Sequence, residues 1–417
     1  MLLNFERALR VMKKYDVDAL VAREHINIYY LTNYWDTQAD GRWPYLVYGL
    51  LPRDKNKPAA LVLPSVKLDR LSLWPSWVPN VVVYSDYSGR ENITQTETGT
   101  HEPTAASWTG WPVRENTRLT ELEKKWIELA TYHSKKLSAT STWGLKKALK
   151  EAGLETSRIA TDDPRIIHWM REMGMPNIDV VDGTNIFREI RMVKTHEEIS
   201  IIRKAAKINE AACLYAASKA TNGEVWESIE NFYHTYMSKH GGRNGHIITN
   251  LGGLPHGKII QNSPFLVDAL GEYKNYFGDF GRTIVVGEPT KELQIRSQAL
   301  KAGFEAACEA IKPGIKKSSI IKLTVETVKK SGFPEFFYVS PHSLGLEHTD
   351  QPIPLGPSIH SNDTDFVVEE NMVINIDMPY FEWGWGTMHL EDTVLVKKNG
   401  IEPLTSLSDP LIVNDKN

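Results

Sequence analysis

The stretch LVDALGEYKNYFGDFGRTIVVG, residues 266–287, reads as two apolar strands around a turn, yet it carries Asp268 and Asp279 among their inward positions. An even-length turn near Tyr273–Lys274 predicts that the two carboxylates lie directly opposite each other on one face, with Cβ atoms about 4.5–5.5 Å apart. Flanked by Leu266, Leu270 and Phe277, two ionised carboxylates at that range repel each other and lose hydration. Either one keeps its proton or a cation sits between them. Two divalent metals about 3.5–4 Å apart satisfy such a pair well.

A second hairpin repeats the pattern. MVINIDMPYF and GTMHLEDTVLV flank a turn near Gly384, and the register predicts Asp377 opposite Glu391. His389 shares the face of Glu391, because strand side chains alternate with period two. Between the hairpins lies SPHSLGLEHTDQP, with His342 and His348, and ahead of both is LGGLPHGKIIQ, with His256. Acids and imidazoles together form a set of hard and borderline ligands suited to Mn, Zn, Fe or Co. Taken singly, each residue has an ordinary explanation: Asp279 pairs with Arg282 or Lys274, and a lone histidine belongs to core or surface. Two hairpins that each face acid against acid, with histidines between them, are hard to explain as structure alone.

The rest of the chain divides in two. Through about residue 185, helix-like runs (RALRVMKKYDV, TSTWGLKKALKEAG, PRIIHWMREMG) alternate with short β-branched ones (DALVA, AALVLP, NVVVYS, IDVVDG), the signature of an α/β domain. Residues 86–118, rich in Thr, Gly, Ser and Asn, read as a long surface loop pinned by Trp108 and Trp111, or as a lid or an arm toward a partner subunit. Thr195 and Glu198 then form a capping box, opening a long helix with Ile199, Ile202, Ala206 and Cys213 near one face. The expected domains are 1–185 and 186–417, and 417 residues give each a sizeable core.

These motifs resemble the pita-bread metallopeptidase family, which includes methionine aminopeptidase, aminopeptidase P, prolidase and the metal-free relative creatinase. The resemblance rests on Asp268 and Asp279 followed by GRT, on HSLGL from His342, on the acid after MVINI, and on LEDTVLV. The first domain, with NIYYLTNYW after DALVAREH, resembles the amino-terminal domain of prolidase, aminopeptidase P and creatinase. The implied fold is a creatinase-like α/β domain followed by an α+β pita-bread domain. The implied cofactors are two divalent metal ions, bridged by Asp279 and Glu391, with Asp268 completing one shell and His342 with Asp377 the other. A hydroxide between them is the implied nucleophile. His256 and His348 are the implied catalytic residues that orient the substrate and stabilise or protonate the intermediate. His389 joins them as a third catalytic candidate, on the face of Glu391. Three positions depart from the family pattern. Asp377 stands where Glu is usual, His348 follows His342 by six residues rather than seven, and His389 stands where prolidase-like members often carry Arg.

Aromatic residues crowd two segments. NYWDTQADGRWPY contains Tyr34 and Trp35, and PYFEWGWGTMH contains Trp383 and Trp385 between two expected ligands. They are candidate substrate-binding residues, either as packing or as an aromatic box for a small cation. The expected activity is hydrolysis of a short peptide or amide of the Xaa-Pro type. Its alternatives are non-peptidase chemistry on a small cationic molecule, by a creatinase-like C–N hydrolase or a lyase, and a metal-free binding protein. The resemblance implies a homodimer. A net charge of −4 without a long basic run argues against nucleic acid or an anionic membrane as partner. No apolar run reaches membrane-spanning length, the first residues lack the apolar core of a signal peptide, and the two cysteines, Cys213 and Cys308, read as reduced thiols. The expected location is the cytoplasm.

Overall fold

The computed structural model describes residues 1–36, 46–85, 99–248, 257–354, 365–406 and 409–414. The chain separates into two compact units, Met1–Ile190 and Arg191–Asn417.

In the first unit the elements run α1 (Phe5–Lys14), β1 (Ala19–Ala22), α2 (His25–Thr32), β2 (Tyr48–Pro52), β3 (Ala60–Pro64), α3 (Leu68–Leu73) and β4 (Asn80–Tyr84). They continue through α4 (Glu121–His133), α5 (Ser141–Glu151), β5 (Arg158–Thr161), α6 (Ile166–Glu172), β6 (Asp179–Asp182) and α7 (Thr184–Arg191). The strands form one sheet in the order β4-β3-β2-β1-β5-β6. Only β2 runs antiparallel to its neighbours; the other adjacent pairs are parallel. Strands β1 to β3 are buried throughout, as uninterrupted runs such as ALVLP require, and α5 packs Leu145, Ala148 and Leu149 into the same core. Gly153 just beyond α5 takes φ +59°, a left-handed stop that glycine adopts without strain.

Within the long connecting segment, residues 86–98 lie outside the described residues, and 99–118 contain neither helix nor strand. Trp108 is buried there and Trp111 exposed.

The second unit contains α8 (His196–Ala217), α9 (Trp226–Lys239), β7 (Arg243–Ile248), β8 (Pro264–Tyr273), β9 (Tyr276–Val286), α10 (Lys291–Ala310) and α11 (Lys317–Lys330). It ends with β10 (Ser340–Ser343), β11 (Val373–Glu382), β12 (Gly386–Lys397), β13 (Gly400–Pro403) and β14 (Leu411–Asn414). Six strands run β10-β11-β12-β9-β8-β7, with β13 added to β12 and β14 to β9. Helix α8 opens with the expected capping box: the Thr195 side chain accepts from the Glu198 N–H, and Glu198 accepts from the Thr195 N–H. Its buried stripe, with Ile208, Ala212 and Cys213, meets α9 and the alternate strand residues Val267, Ala269 and Phe280. Helices α10 and α11 do the same for β11 and β12, through Leu300, Phe304, Ile374, Ile376 and Leu390. Period-two alternation therefore turns Asp268, Asp279, Asp377, His389 and Glu391 to the opposite face, away from these helices. Among the described residues no helix is long and apolar enough to cross a membrane.

Candidate metal centre

The β8–β9 hairpin turns at Lys274 and Asn275, both with positive φ (49° and 68°), the two-residue turn whose twist matches antiparallel strands. This places Asp268 opposite Gly281 and Asp279 opposite Leu270. The two acids share a face but stand diagonally, which corrects the directly opposed register expected from a turn at Tyr273–Lys274. The error came from reading Lys274 as the second turn residue; Asn275, a residue that tolerates left-handed backbone, completes the turn.

The neighbouring strands extend the pattern. Gly281 pairs with Glu391, and Glu391 pairs with Asp377, the register expected for the second hairpin. One ladder row therefore reads Asp268, Gly281, Glu391, Asp377 across four strands. Two residues along lies a second row, in which His342 pairs with Asn375 and Asn375 with Thr393, whose hydroxyl donates to the Asp279 carbonyl at 2.9 Å. Glycine at 281 keeps the middle of the first row open.

In this arrangement His342 and His348 present Nε2 to Asp279 Oδ2 at 3.6 and 3.2 Å. His342 Nδ1 donates to the His348 carbonyl at 3.1 Å, which leaves its Nε2 lone pair bare. His389 Nε2 lies 2.8 Å from Asp377 Oδ1 and 3.7 Å from Glu391 Oε2. Asn375 donates to Glu391 Oε1 at 3.1 Å. Burial raises the Asp268 carboxyl to about 6, where His389 opposes and Asp279 reinforces the shift. Burial, then repulsion from Asp279, Asp268 and Asp377, holds Glu391 well above the usual carboxylate range. Burial lowers the basicity of His342. At His348 burial acts the same way, but the hydrogen bond and charge of Asp279 outweigh it and the imidazole is more basic than usual.

These residues fit a metal. Asp268 Oδ1, Asp279 Oδ1, His342 Nε2, His389 Nδ1 and Glu391 Oε2 are buried without a hydrogen-bond partner. Native proteins rarely leave so many polar atoms unsatisfied in one place unless an ion or water completes them. Among the described residues, two groups have ligand atoms all within 4.8 Å of one another: Asp279 with His342 and His348, and Asp268 with His389 and Glu391.

The aromatic candidates divide. Trp383 is 87% exposed and lines a cavity of ≈ 1070 Å³ that opens onto Asp268, Asp377 and His389. Trp385 is instead half-buried, its ring 4.2 Å from the Arg296 guanidinium. Arg296 is tied to Glu382 at 2.8 Å. The cavity's apolar wall comes mainly from Phe333, Phe336, Phe337 and Tyr338, a run that sequence reasoning passed over although GFPEFFY is legible as an aromatic cluster. In the first unit, Tyr34 is buried in the core and Trp35 meets Tyr29 edge-on. His256 lies outside the described residues.

Comparison with known proteins fits this geometry. Residues 200–398 match the model of metallopeptidase family M24. The Xaa-Pro dipeptidase of Pyrococcus furiosus is 32% identical over 239 residues, which span 55% of this chain and 67% of that protein. The chain belongs to metallopeptidase family M24. The Xaa-Pro dipeptidase of Pyrococcus horikoshii is 31% identical over 55% of this chain, so the matched stretch spans 66% of that relative. Over whole chains the fold is that of two solved structures. One is the prolidase from Pyrococcus horikoshii OT3 (TM-score 0.66, 20% identity, 98% of this chain and 99% of that one). The other is the Xaa-Pro dipeptidase from Bacillus anthracis (TM-score 0.70, 20% identity, 98% of each chain). The pita-bread fold preceded by a creatinase-like domain, expected from the motifs, is therefore the fold of an M24 metallopeptidase.

Proposed function

We propose that this chain is a metal-dependent Xaa-Pro dipeptidase that holds two divalent ions on the open face of the second sheet. The observation that carries this reading is the convergence of buried, unpartnered ligand atoms from Asp268, Asp279, His342 and Glu391 on a sheet of the M24 family. The Xaa-Pro dipeptidase relatives favour peptide hydrolysis over the chemistry of small cations. Bound ions would supply Lewis acidity and a water acidic enough to attack near neutral pH.

The chain's own residues do the rest. Asp279 and Glu391 are the acids that would serve both metal positions, with Asp268 and His342 on either side. His348, its side chain 41% exposed at the edge of the cluster, is the group placed to orient the substrate and deliver a proton to the leaving amine. The aromatic cavity receives an apolar substrate side chain beside the ligands and excludes water from it. A homodimer, a reducing cytoplasm for the free thiols Cys213 and Cys308, and a boundary near residue 185 complete the reading.

The test is dipeptide hydrolysis by protein freed of metal and reloaded with Mn, Zn, Fe(II) or Co. Turnover of Xaa-Pro dipeptides, lost in Asp279→Ala, is the expected result. Protein that binds none of these metals would overturn the reading.

A further inference from the structure

We propose that His389 is itself a metal ligand, completing the position held by Asp268 and Glu391, and that Asp377 is a positioning residue that holds its ring. The inference rests on the metal-dependent reading above but departs from the ligand set that the sequence motifs imply, where Asp377 coordinates and His389 does not.

The geometry around the His389 ring carries it. His389 Nε2 lies 2.8 Å from Asp377 Oδ1, and an ionised carboxylate only accepts, so this nitrogen bears the hydrogen. The other nitrogen, Nδ1, is buried and has no hydrogen-bond partner. A carboxylate on one ring nitrogen and a bare lone pair on the other is the arrangement that ligating histidines show, because the outer partner fixes the tautomer and raises ligand basicity. The ring's backbone is pinned as well: the His389 N–H donates to Thr283 Oγ1 at 2.8 Å, and the Thr283 hydroxyl donates back to the His389 carbonyl at 3.2 Å.

Gly281 supplies the space. A Cβ there would stand 2.6 Å from His389 Nδ1 and Cε1 and 2.9 Å from Glu391 Oε2. The volume between imidazole and carboxylate is thus kept clear by the absence of a side chain at the centre of the ladder row. Asp268, His389 and Glu391 are also one of the groups whose ligand atoms lie within 4.8 Å of one another. Asp377, by contrast, is partly exposed and has the His389 ring as its hydrogen-bond partner.

An imidazole added to the Asp268 position makes it richer in nitrogen, which shifts preference from Mn toward Zn, Fe(II) or Co. The deciding measurement is X-ray absorption at the Co edge on enzyme loaded with two equivalents of Co(II), together with metal-binding isotherms. Wild type should show two imidazoles per two ions, His342 and His389. His389→Gln should show one, with one equivalent bound at least tenfold more weakly and the far-UV spectrum unchanged. Asp377→Asn should keep both imidazoles while weakening that equivalent about 10–100-fold. An unchanged imidazole count and unchanged affinities in His389→Gln would overturn the proposal while leaving the dipeptidase reading intact. Failure of wild type to bind metal would overturn both.

Discussion

Arg282 on β9 reaches across to Asp392 on β12, its Nη2 2.9 and 2.8 Å from the two carboxylate oxygens, and both side chains are fully buried. The pair lies on the helix-facing side, directly behind the metal-facing acids. Arg282 Nη1 also donates to the Gly281 and Glu391 carbonyls at 2.8 Å each. The residue that the sequence offered as a partner for Asp279 therefore serves another purpose: it clamps the two strands whose next turn of the pleat presents Asp279 and Glu391.

Breaking this clamp should cost stability first and metal second. Asp392→Asn leaves a buried guanidinium without its counter-charge, a loss of about 3–5 kcal/mol. Urea unfolding of chelator-treated protein measures it free of any metal contribution. A loss near zero would mean that water or backbone carbonyls satisfy Arg282 without Asp392.

Metal removal should also destabilise the protein, because ligand binding to the folded state alone adds RT ln(1 + [L]/Kd), about 2.7 kcal/mol at a hundredfold excess over Kd. Thermal melts of chelated and reloaded protein should therefore separate, and Asp279→Ala should melt at one temperature in both states. Equal melts for wild type would show that the cluster holds no ion.

Most of the fold was legible because the first unit's strands are short unbroken β-branched runs and its helices have periodic faces and clear stops. Most of the candidate site was legible too, since acids inside apolar strands have few structural uses. What escaped depended on one residue of register or on distant pairing. The Lys274–Asn275 turn shifted Asp268 from Asp279 to Gly281, and nothing local to Arg282 marks Asp392 as its partner. The wall of the cavity, Phe333 to Tyr338, follows α11 and ends four residues before His342, yet only the fold turns it toward the cavity that Asp268 and Asp377 also line.

That wall makes a substrate prediction. If Phe333 contacts the substrate's apolar side chain, Phe333→Ala should lower kcat/KM for Phe-Pro tenfold or more and leave Gly-Pro nearly unchanged, since lost apolar contact of this size is worth about 1–3 kcal/mol. Equal losses on both dipeptides would place the substrate elsewhere.

Stability should depend on pH through Glu198, which sits buried between the Thr195 N–H, the Tyr276 hydroxyl and the Lys194 ammonium. Burial raises its carboxyl from the usual 4.5 to about 7, against the opposing pull of Lys194. A folded value above the unfolded one means that the stabilisation is complete below pH 4.5 and is lost as pH rises through 7, on the order of 3 kcal/mol in all. Glu198→Gln keeps the capping geometry and removes the titration, so its stability should lack the decline that wild type shows between pH 4.5 and 7. Parallel pH curves for the two proteins would place that titration elsewhere.

Two glycines three residues apart on β9 should respond differently to the same methyl group. At Gly278 an added Cβ would stand 2.6 Å from the Ala205 carbonyl oxygen on α8, and backbone on both sides cannot yield. Gly278→Ala should therefore separate helix from sheet and lower stability by about 1–3 kcal/mol or more. At Gly281 the obstacles are the His389 ring and the tip of Glu391, side chains that can move, though only out of the metal position. Gly281→Ala should unfold close to the wild-type urea midpoint when both are chelated, yet bind its metals more than tenfold less tightly. Isotherms and urea melts on both variants separate the two cases. Loss of stability without loss of metal at Gly281 would show that the open space in that row serves packing, and that the ligands close around the ion from another side.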